Sequence, residues 1–407
     1  MTVWVTGLGV IGPHGQDAPA MFEALLRGDS AIRPVFPELP KPAAAATVDF
    51  DPAPWFTKLQ LAGVDRVSQL AVAAADLALR DAGAERADRL AEPLRIGVYV
   101  GCGMGGAGAL DAAYRGSASG RVPPLTIPAY MPNAPAAHVA MRQGAQGPVL
   151  TYSVACASSA VAIGEAAKAL RAGEVDLAIA GGSEALIVPG VVLAWQAMQT
   201  LAPMPADDPA EAARCCRPFA TDRAGFALGE GAAFLVLERP GDARARGARA
   251  HAALAGAGLS CDASHLTKPE AAGQAAALRQ ALRQAGLAPA DVGYCNAHGT
   301  ATRIGDVVEA HALAAVWGDA LAGLRVSSTK ALHVHLLGGA GALEAAITVL
   351  AVQHRALPPA MHVDRPDPEC PLSLVAPGDT AAPSLQAAVS SSFAFGGTNS
   401  ALLFTSA

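Results

Sequence analysis

Aromatic side chains make up only 5% of this 407-residue chain, and charged residues only 16%, with a formal net charge of −6. That balance argues against nucleic acid as a partner, because phosphate binding needs a concentrated basic surface and no Lys/Arg run interleaved with aromatics is present. No stretch holds about 18 unbroken apolar residues free of Gly, Pro and charge, so no membrane span is expected. The seven cysteines (Cys102, Cys156, Cys215, Cys216, Cys261, Cys295 and Cys370) are odd in number and lack paired spacing. A disulfide framework or a zinc site is therefore not expected, and Cys215-Cys216 is adjacent rather than C-x-x-C. Met1-Thr-Val-Trp-Val-Thr-Gly7 has no basic segment leading into an apolar one, so no signal peptide is read and a cytoplasmic protein is expected.

What is present is apolar and small. Hydrophobic residues reach 52%, much of it alanine, and there are 42 glycines, a composition for closely approaching backbones. The length exceeds what one hydrophobic core usually serves, so two domain-sized halves are expected, residues 1–240 and 241–407. Short apolar runs ending in Gly-rich turns alternate with Ala/Leu helices, the α/β pattern. The first series places strands at Val3–Gly7, Ile96–Val100, Val149–Val154, Asp176–Ala180 and Ala232–Leu237, with helices over Val67–Ala82 and Cys156–Ala172. After a polar, Pro-rich stretch at Leu201–Pro218 and a charged boundary at Arg239–Arg249, a second series follows. It places strands at Ala252–Ala257, Val292–Asn296, Arg325–Ser327, Ser384–Ser390 and Leu402–Phe404, and helices over Ala271–Ala285 and Gly341–Gln353. The shared rhythm suggests a structural duplication.

Four segments carry candidate chemistry. Cys156, in Ser153-Val-Ala-Cys-Ala-Ser-Ser159, lies between a strand end and a small-residue helix, whose free N–H groups favour a thiolate and can hold a thioester oxygen. A buried structural cysteine is the competing reading. His298 follows a strand in Asn296-Ala-His-Gly-Thr-Ala-Thr302, and His335 follows Ser327-Ser-Thr-Lys330, with His333 close enough to be mistaken for it. Phe393-Ala-Phe-Gly-Gly-Thr-Asn399 is an aromatic and glycine turn, otherwise readable as a tight hairpin. One Cys and two His, each at a strand end, can converge at one edge of an α/β sheet.

These motifs, in this order and over the whole length, resemble the β-ketoacyl-ACP synthases of type II fatty acid and polyketide synthesis. Val5-Thr-Gly-Leu-Gly9, Gly181-Gly-Ser-Glu184, Arg217-Pro-Phe219, Asp222-Arg-Ala-Gly-Phe226 and Gly229-Glu-Gly231 match as well. The resemblance implies a thiolase fold, duplicated halves forming a five-layered αβαβα sandwich, and a homodimer, with a heterodimer of related subunits also open. It implies a decarboxylative Claisen condensation between an acyl-Cys156 and a malonyl thioester on the phosphopantetheine of an acyl-carrier protein, with no further cofactor and no metal. His298 and His335 would hold the malonyl thioester oxygen, and the N–H groups of Cys156 and Phe395 the oxyanion. Lys330 and Glu309 would form a supporting buried pair, Thr300 and Thr302 would bond the pantetheine amides, and Phe395 would gate the acyl pocket. Acyl transfer without decarboxylation, or a chain-length-factor partner role, are the alternatives; the paired histidines speak against the first and Cys156 against the second.

Four departures bear on substrate. Val334 and Ala394 stand where the family usually has glycine, the second where a restricted gate would follow if the backbone state disfavours alanine. Met104 falls where a residue closes the acyl pocket, and its flexible thioether could shorten or adapt the tunnel. Ala62, Gly63 and Gln199 replace residues that are basic at the carrier-docking face, leaving Arg66 and Arg121 nearby.

Overall fold

The computed structural model describes residues 2–204 and 208–407, so residues 205–207 of the Pro-rich stretch lie outside the described residues. Its first seven strands are β1 (Val3–Ile11), β2 (Arg33–Val35), β3 (Ala43–Ala46), β4 (Ile96–Gly101), β5 (Val149–Tyr152), β6 (Leu177–Glu184) and β7 (Leu228–Gly229). The next seven are β8 (Gly231–Glu238), β9 (Ala252–Cys261), β10 (Tyr294–Asn296), β11 (Arg325–Ser327), β12 (Ser373–Leu374), β13 (Ala387–Phe393) and β14 (Thr398–Thr405). Eleven of them form one hydrogen-bonded sheet in the order β12-β11-β10-β13-β14-β9-β1-β8-β6-β4-β5, while β2, β3 and β7 form a small separate one.

The large sheet is two similar half-sheets joined by a short seam, Val3–Val5 on β1 against Ala252–Leu254 on β9. In the first, β5, β4 and β6 run parallel, then β8 and β1 turn antiparallel. In the second, β11, β10 and β13 run parallel, then β14 and β9 turn antiparallel, with β12 added at the edge. Equivalent strands even use the same packing device. A Cβ on Gly7 or Gly9 of β1 would come within 2.1 Å of the helix Arg66–Asp81 at Ala78 and Ala74, and one on Gly256 or Gly258 of β9 within 2.1 Å of the helix Ala271–Ala285 at Ala281 and Ala277. Only glycine lets helix and strand approach so closely, which accounts for a composition rich in Ala and Gly and poor in aromatics.

Three buried clusters fill the spaces between five layers. One lies between the helices Arg66–Asp81 and Ala134–Gln143 and the outer face of the first half-sheet. The middle one surrounds the helices Ser158–Ala172 and Ala340–His354, which touch each other and are sandwiched by both half-sheets. The third lies under the helices Ala271–Ala285 and Arg303–Trp317. This is the αβαβα sandwich of the thiolase fold. The helix Ala340–His354 is buried on every side from Ala340 to Val352, as befits the central layer. The charged stretch at Arg239–Arg249 holds the short helix Pro240–Ala245 between the two series. Among the described residues no helix is long and apolar enough to cross a membrane.

Candidate active site

The nucleophile segment differs from the single helix expected over Cys156–Ala172. A one-turn 3₁₀ helix, Ala155–Ala157, precedes the α-helix Ser158–Ala172, which Gly173 ends in the left-handed conformation. Ala155 takes φ 48°, turning the chain sharply out of β5 so that Cys156 stands at the junction. Ser158 Oγ fastens the turn by donating to the Ala155 carbonyl (2.6 Å) and accepting from Val154 N–H (2.9 Å). Glycines seat this helix start: a Cβ on Gly101 would lie 2.1 Å from Ser159 N, one on Gly182 2.5 Å from Ser159 Cβ, and one on Gly341 2.8 Å from Ala160 Cβ.

His298 leaves β10 with its backbone clamped. Its N–H donates to Glu309 Oε1 (2.8 Å) and to Ser391 Oγ (3.0 Å), Gly299 N–H donates to Glu309 Oε2 (2.7 Å), and Ser391 Oγ donates to Glu309 Oε1 (2.7 Å). Glu309 is thus spent on two backbone amides and the Ser391 hydroxyl. Lys330, expected to pair with Glu309, instead pairs with Glu344 of the central helix, both side chains fully buried. The physical reason is that Glu309 faces the loop it caps, whereas Glu344 is the one carboxylate in an otherwise apolar buried helix and needs a counter-charge. Burial pushes Glu344 up to about 7 while Lys330 pulls it down.

His333 and His335 separate cleanly. His333 bonds to the Val334 carbonyl through Nδ1 (2.8 Å) and to Thr329 Oγ1 through Nε2 (2.9 Å), and so belongs to the interior. His335 has its backbone paired with Ala227 and Gly229, but both ring nitrogens are without a protein partner among the described residues. Sγ of Cys156 and one nitrogen each of His298 and His335 lie within 4.8 Å of one another. Three donors of this kind could contact a soft ion, but no carboxylate or other ligand joins them among the described residues, and zinc ordinarily takes four.

Burial, first, and the Lys330 charge, second, push both histidines well below their usual range, so they are neutral imidazoles. The thiol differs from expectation: burial raises Cys156 to about 12, against the pull of Lys330 and of its own backbone N–H. The helix-end amides are there, but burial outweighs them, which favours the thiol over the thiolate.

The cluster opens into a cavity of about 840 Å³. Thr300 and Thr302, their hydroxyls 3.1 Å apart, line it with Phe395. In the 394–397 turn, the N–H groups of Ala394, Gly396 and Gly397 bond to Thr398, Leu266 and Ala394 carbonyls; that of Phe395 has no partner among the described residues. Positive φ falls on Gly396 and Gly397 and not on Ala394, so alanine is accommodated there without strain. Val334, in contrast, takes φ 59°, ψ −163°. Sequence reasoning missed Trp195, which stacks on Phe395 (centroids 6.2 Å, 24°) and meets Phe226 edge-on. It also missed Ser391 and Glu344, of which only Glu344 carried a signal: a lone acid in an apolar helix. Met104 is 46% exposed and does not line the cavity. Arg66 is not free at the surface, since it is held by Glu230 (2.7 Å) and the Val48 carbonyl. A Cβ on Gly63 would lie 2.5 Å from the end of the half-exposed Leu125 side chain, which can move aside, so packing does not dictate glycine there.

Fold and cluster together define a class, the thiolase-fold acyltransferases that make carbon–carbon bonds. The models described as "Beta-ketoacyl synthase, N-terminal domain" and "Beta-ketoacyl synthase, C-terminal domain" match residues 1–243 and 251–364. Nodulation protein E of Rhizobium sp. (strain N33) is 40% identical over 99% of this chain and 98% of its own. 3-Oxoacyl-[acyl-carrier-protein] synthase 2 of Staphylococcus aureus (strain N315) is 36% identical over 99% and 97%. The solved ishigamide ketosynthase/chain length factor superposes with a TM-score of 0.91 at 31% identity, covering 100% of this chain and 99% of that one. The chain belongs to the β-ketoacyl synthase family. It is an enzyme of decarboxylative condensation, joining an acyl group to a malonyl-derived unit to give a β-ketoacyl product.

Proposed function

We propose that Cys156 is the acyl carrier of this reaction and that His298 and His335 are its decarboxylation site. The observation that supports this most is the meeting of the three side chains within 4.8 Å on the lining of the cavity, with both His335 nitrogens unpartnered among the described residues. In the first half-reaction the Cys156 sulfur displaces the carrier thiol from an acyl thioester, and the Cys156 proton leaves with that thiol. In the second, the neutral histidines donate to the malonyl thioester oxygen, so the enolate forms as CO2 departs. The enolate carbon attacks the acyl-Cys156 carbonyl, and the N–H groups of Cys156 and Phe395 hold the oxyanion. Collapse expels the Cys156 thiolate, which takes a proton from water. Thr300 and Thr302 present hydroxyls suited to pantetheine amides, and burial, helped by the charge of Lys330, keeps both histidines neutral.

The partner that fits is an acyl-carrier protein bearing phosphopantetheine, which would itself supply the only prosthetic group needed. With Arg66 engaged, Lys41, Lys268 and Arg303 are the cations lining the cavity, and they suit an acidic carrier. We infer a dimer, of like or related subunits, through the β5 edge, where Val149 and Leu150 are 39% and 44% exposed. We place the division of the two halves at 240/241, at the start of the short helix Pro240–Ala245 that lies between β8 and β9. Seven unpaired cysteines suit the reducing cytoplasm. The test uses radiolabelled malonyl-carrier. Wild type should release CO2, Cys156→Ala should lose condensation but keep CO2 release, and His298→Ala should lose at least about 100-fold of that release. CO2 release by His298→Ala at the Cys156→Ala level would overturn the assignment.

A further inference from the structure

Glu184 ends β6 fully buried, and no ion pair reaches it among the described residues. Its carboxylate is instead held by four hydrogen-bond donors. Oε2 accepts from Gly103 N–H (2.8 Å) and Gly338 N–H (3.0 Å), and Oε1 accepts from Met104 N–H (3.3 Å) and the Cys102 thiol (3.8 Å). A carboxylate buried without a cation survives only when its lone pairs are satisfied in this way. Both oxygens act as acceptors, so an amide of the same shape would turn a donor toward donors.

The two segments it joins come from opposite halves of the chain. The turn at 102–104 follows Gly101, whose Cα lies so close to the nucleophile helix that a Cβ would be 2.1 Å from Ser159 N. The turn is therefore seated on the element that carries Cys156. Gly338 lies three residues after His335, in the loop that places that imidazole. The joint admits no side chain: a Cβ on Gly338 would be 2.4 Å from Gly103 N and 2.6 Å from Glu184 Oε2, and one on Gly103 2.6 Å from the same oxygen.

We propose that Glu184 is a positioning residue that fixes the spacing of Cys156 and His335, by fastening the His335 loop to the turn seated on the Cys156 helix. Nothing else among the described residues links Gly338 to that turn by a side chain. Burial pushes the carboxyl up to about 7, while the three amides and the Cys102 thiol pull it down, as donors that favour the ionised form must. The inference rests on the reading of His335 as part of the decarboxylation site. A displacement near 1 Å at such a contact suffices for about a 100-fold loss in rate.

The test is Glu184→Gln in the full chain, with three readouts beside its melting temperature: acyl-Cys156 formation by intact mass, CO2 release from malonyl-carrier, and condensation. The expected pattern is acylation within about threefold of wild type, with CO2 release and condensation both down at least about 30-fold. Gly338→Ala, which forces the same joint apart, should give the same split, and the double variant should be no worse than the poorer single. The proposal fails if CO2 release by Glu184→Gln stays within threefold of wild type. It fails equally if acylation, CO2 release and melting temperature fall together, as for a residue that only supports the fold. Should Glu184→Gln not fold, Gly338→Ala is judged by the same two outcomes. Absence of CO2 release from wild type would instead sink the decarboxylation reading beneath it.

Discussion

Val334 holds φ 59°, ψ −163°, a region that glycine enters freely and a β-branched residue does not. Strain of about 1–3 kcal/mol is the usual cost of such a state. It is offset by the side chain, which is fully buried in the apolar cluster that also holds Leu186, Val192, Leu228 and Cys156. Burying a valine contributes about 1.5–3 kcal/mol, so the two terms nearly cancel. An inverted order of variants follows. Val334→Ala loses most of the packing and keeps the strain, whereas Val334→Gly loses slightly more packing but releases it. Thermal unfolding should therefore place the glycine variant above the alanine variant, opposite to the order at ordinary backbone positions, where glycine costs about 0.5–1 kcal/mol more. A glycine variant melting below the alanine one would show that the strain is not real. At this scale the sequence was informative about which residues depart from the family pattern. It could not say what each departure does: Val334 is strained, while Ala394 is not, because positive φ falls on Gly396 and Gly397 instead.

Elements were legible where periodicity and end signals agree. The helix over Ala271–Ala285 and the strand Arg325–Ser327 stand as read, and the helix at Val67–Ala82 runs Arg66–Asp81 with Asp65 capping it through Val67 N–H. Strands ran longer than read wherever the apolar run continued into small residues, as in β6 through Gly181-Gly-Ser-Glu184. Pairing between elements was not legible, because it depends on which buried faces meet. Lys330 illustrates this: its partner is 14 residues away on the central helix, not on the helix that carries Glu309. Breaking that pair should be severe. Lys330→Met leaves Glu344 buried without its cation, and a loss of about 3–5 kcal/mol is expected in chemical denaturation. Adding Glu344→Leu should restore much of it, since an apolar pair of similar volume removes both desolvation costs. A double variant no more stable than Lys330→Met would show that the carboxylate is not what the lysine compensates.

Across the whole molecule, burial of ionisable groups in a nearly closed interior sets two opposed pH dependences. Glu184, Asp306 and Glu344 are each raised to about 7, with burial as the largest cause. A carboxyl raised on folding contributes stability that is complete below its unfolded pKa and is lost as pH climbs through the folded one, here between about 4 and 7. His298, His333 and His335 are pushed well below 6.5, so their contribution is present above that value and is lost as pH falls. The two sets of slopes oppose each other between pH 5 and 7 and give the wild type a broad, shallow optimum. Asp306 isolates one of them. It accepts from Phe219 N–H at 2.8 Å, lies 3.6 Å from the Arg223 guanidinium, and is fully buried. Asn in its place cannot titrate. The melting temperature of Asp306→Asn relative to wild type should therefore rise steadily from pH 5 to pH 7 and level off beyond, whatever its absolute value. A relative melting temperature that stays constant, or falls, over that interval would mean that Asp306 is ionised throughout and that Arg223 outweighs burial at that position.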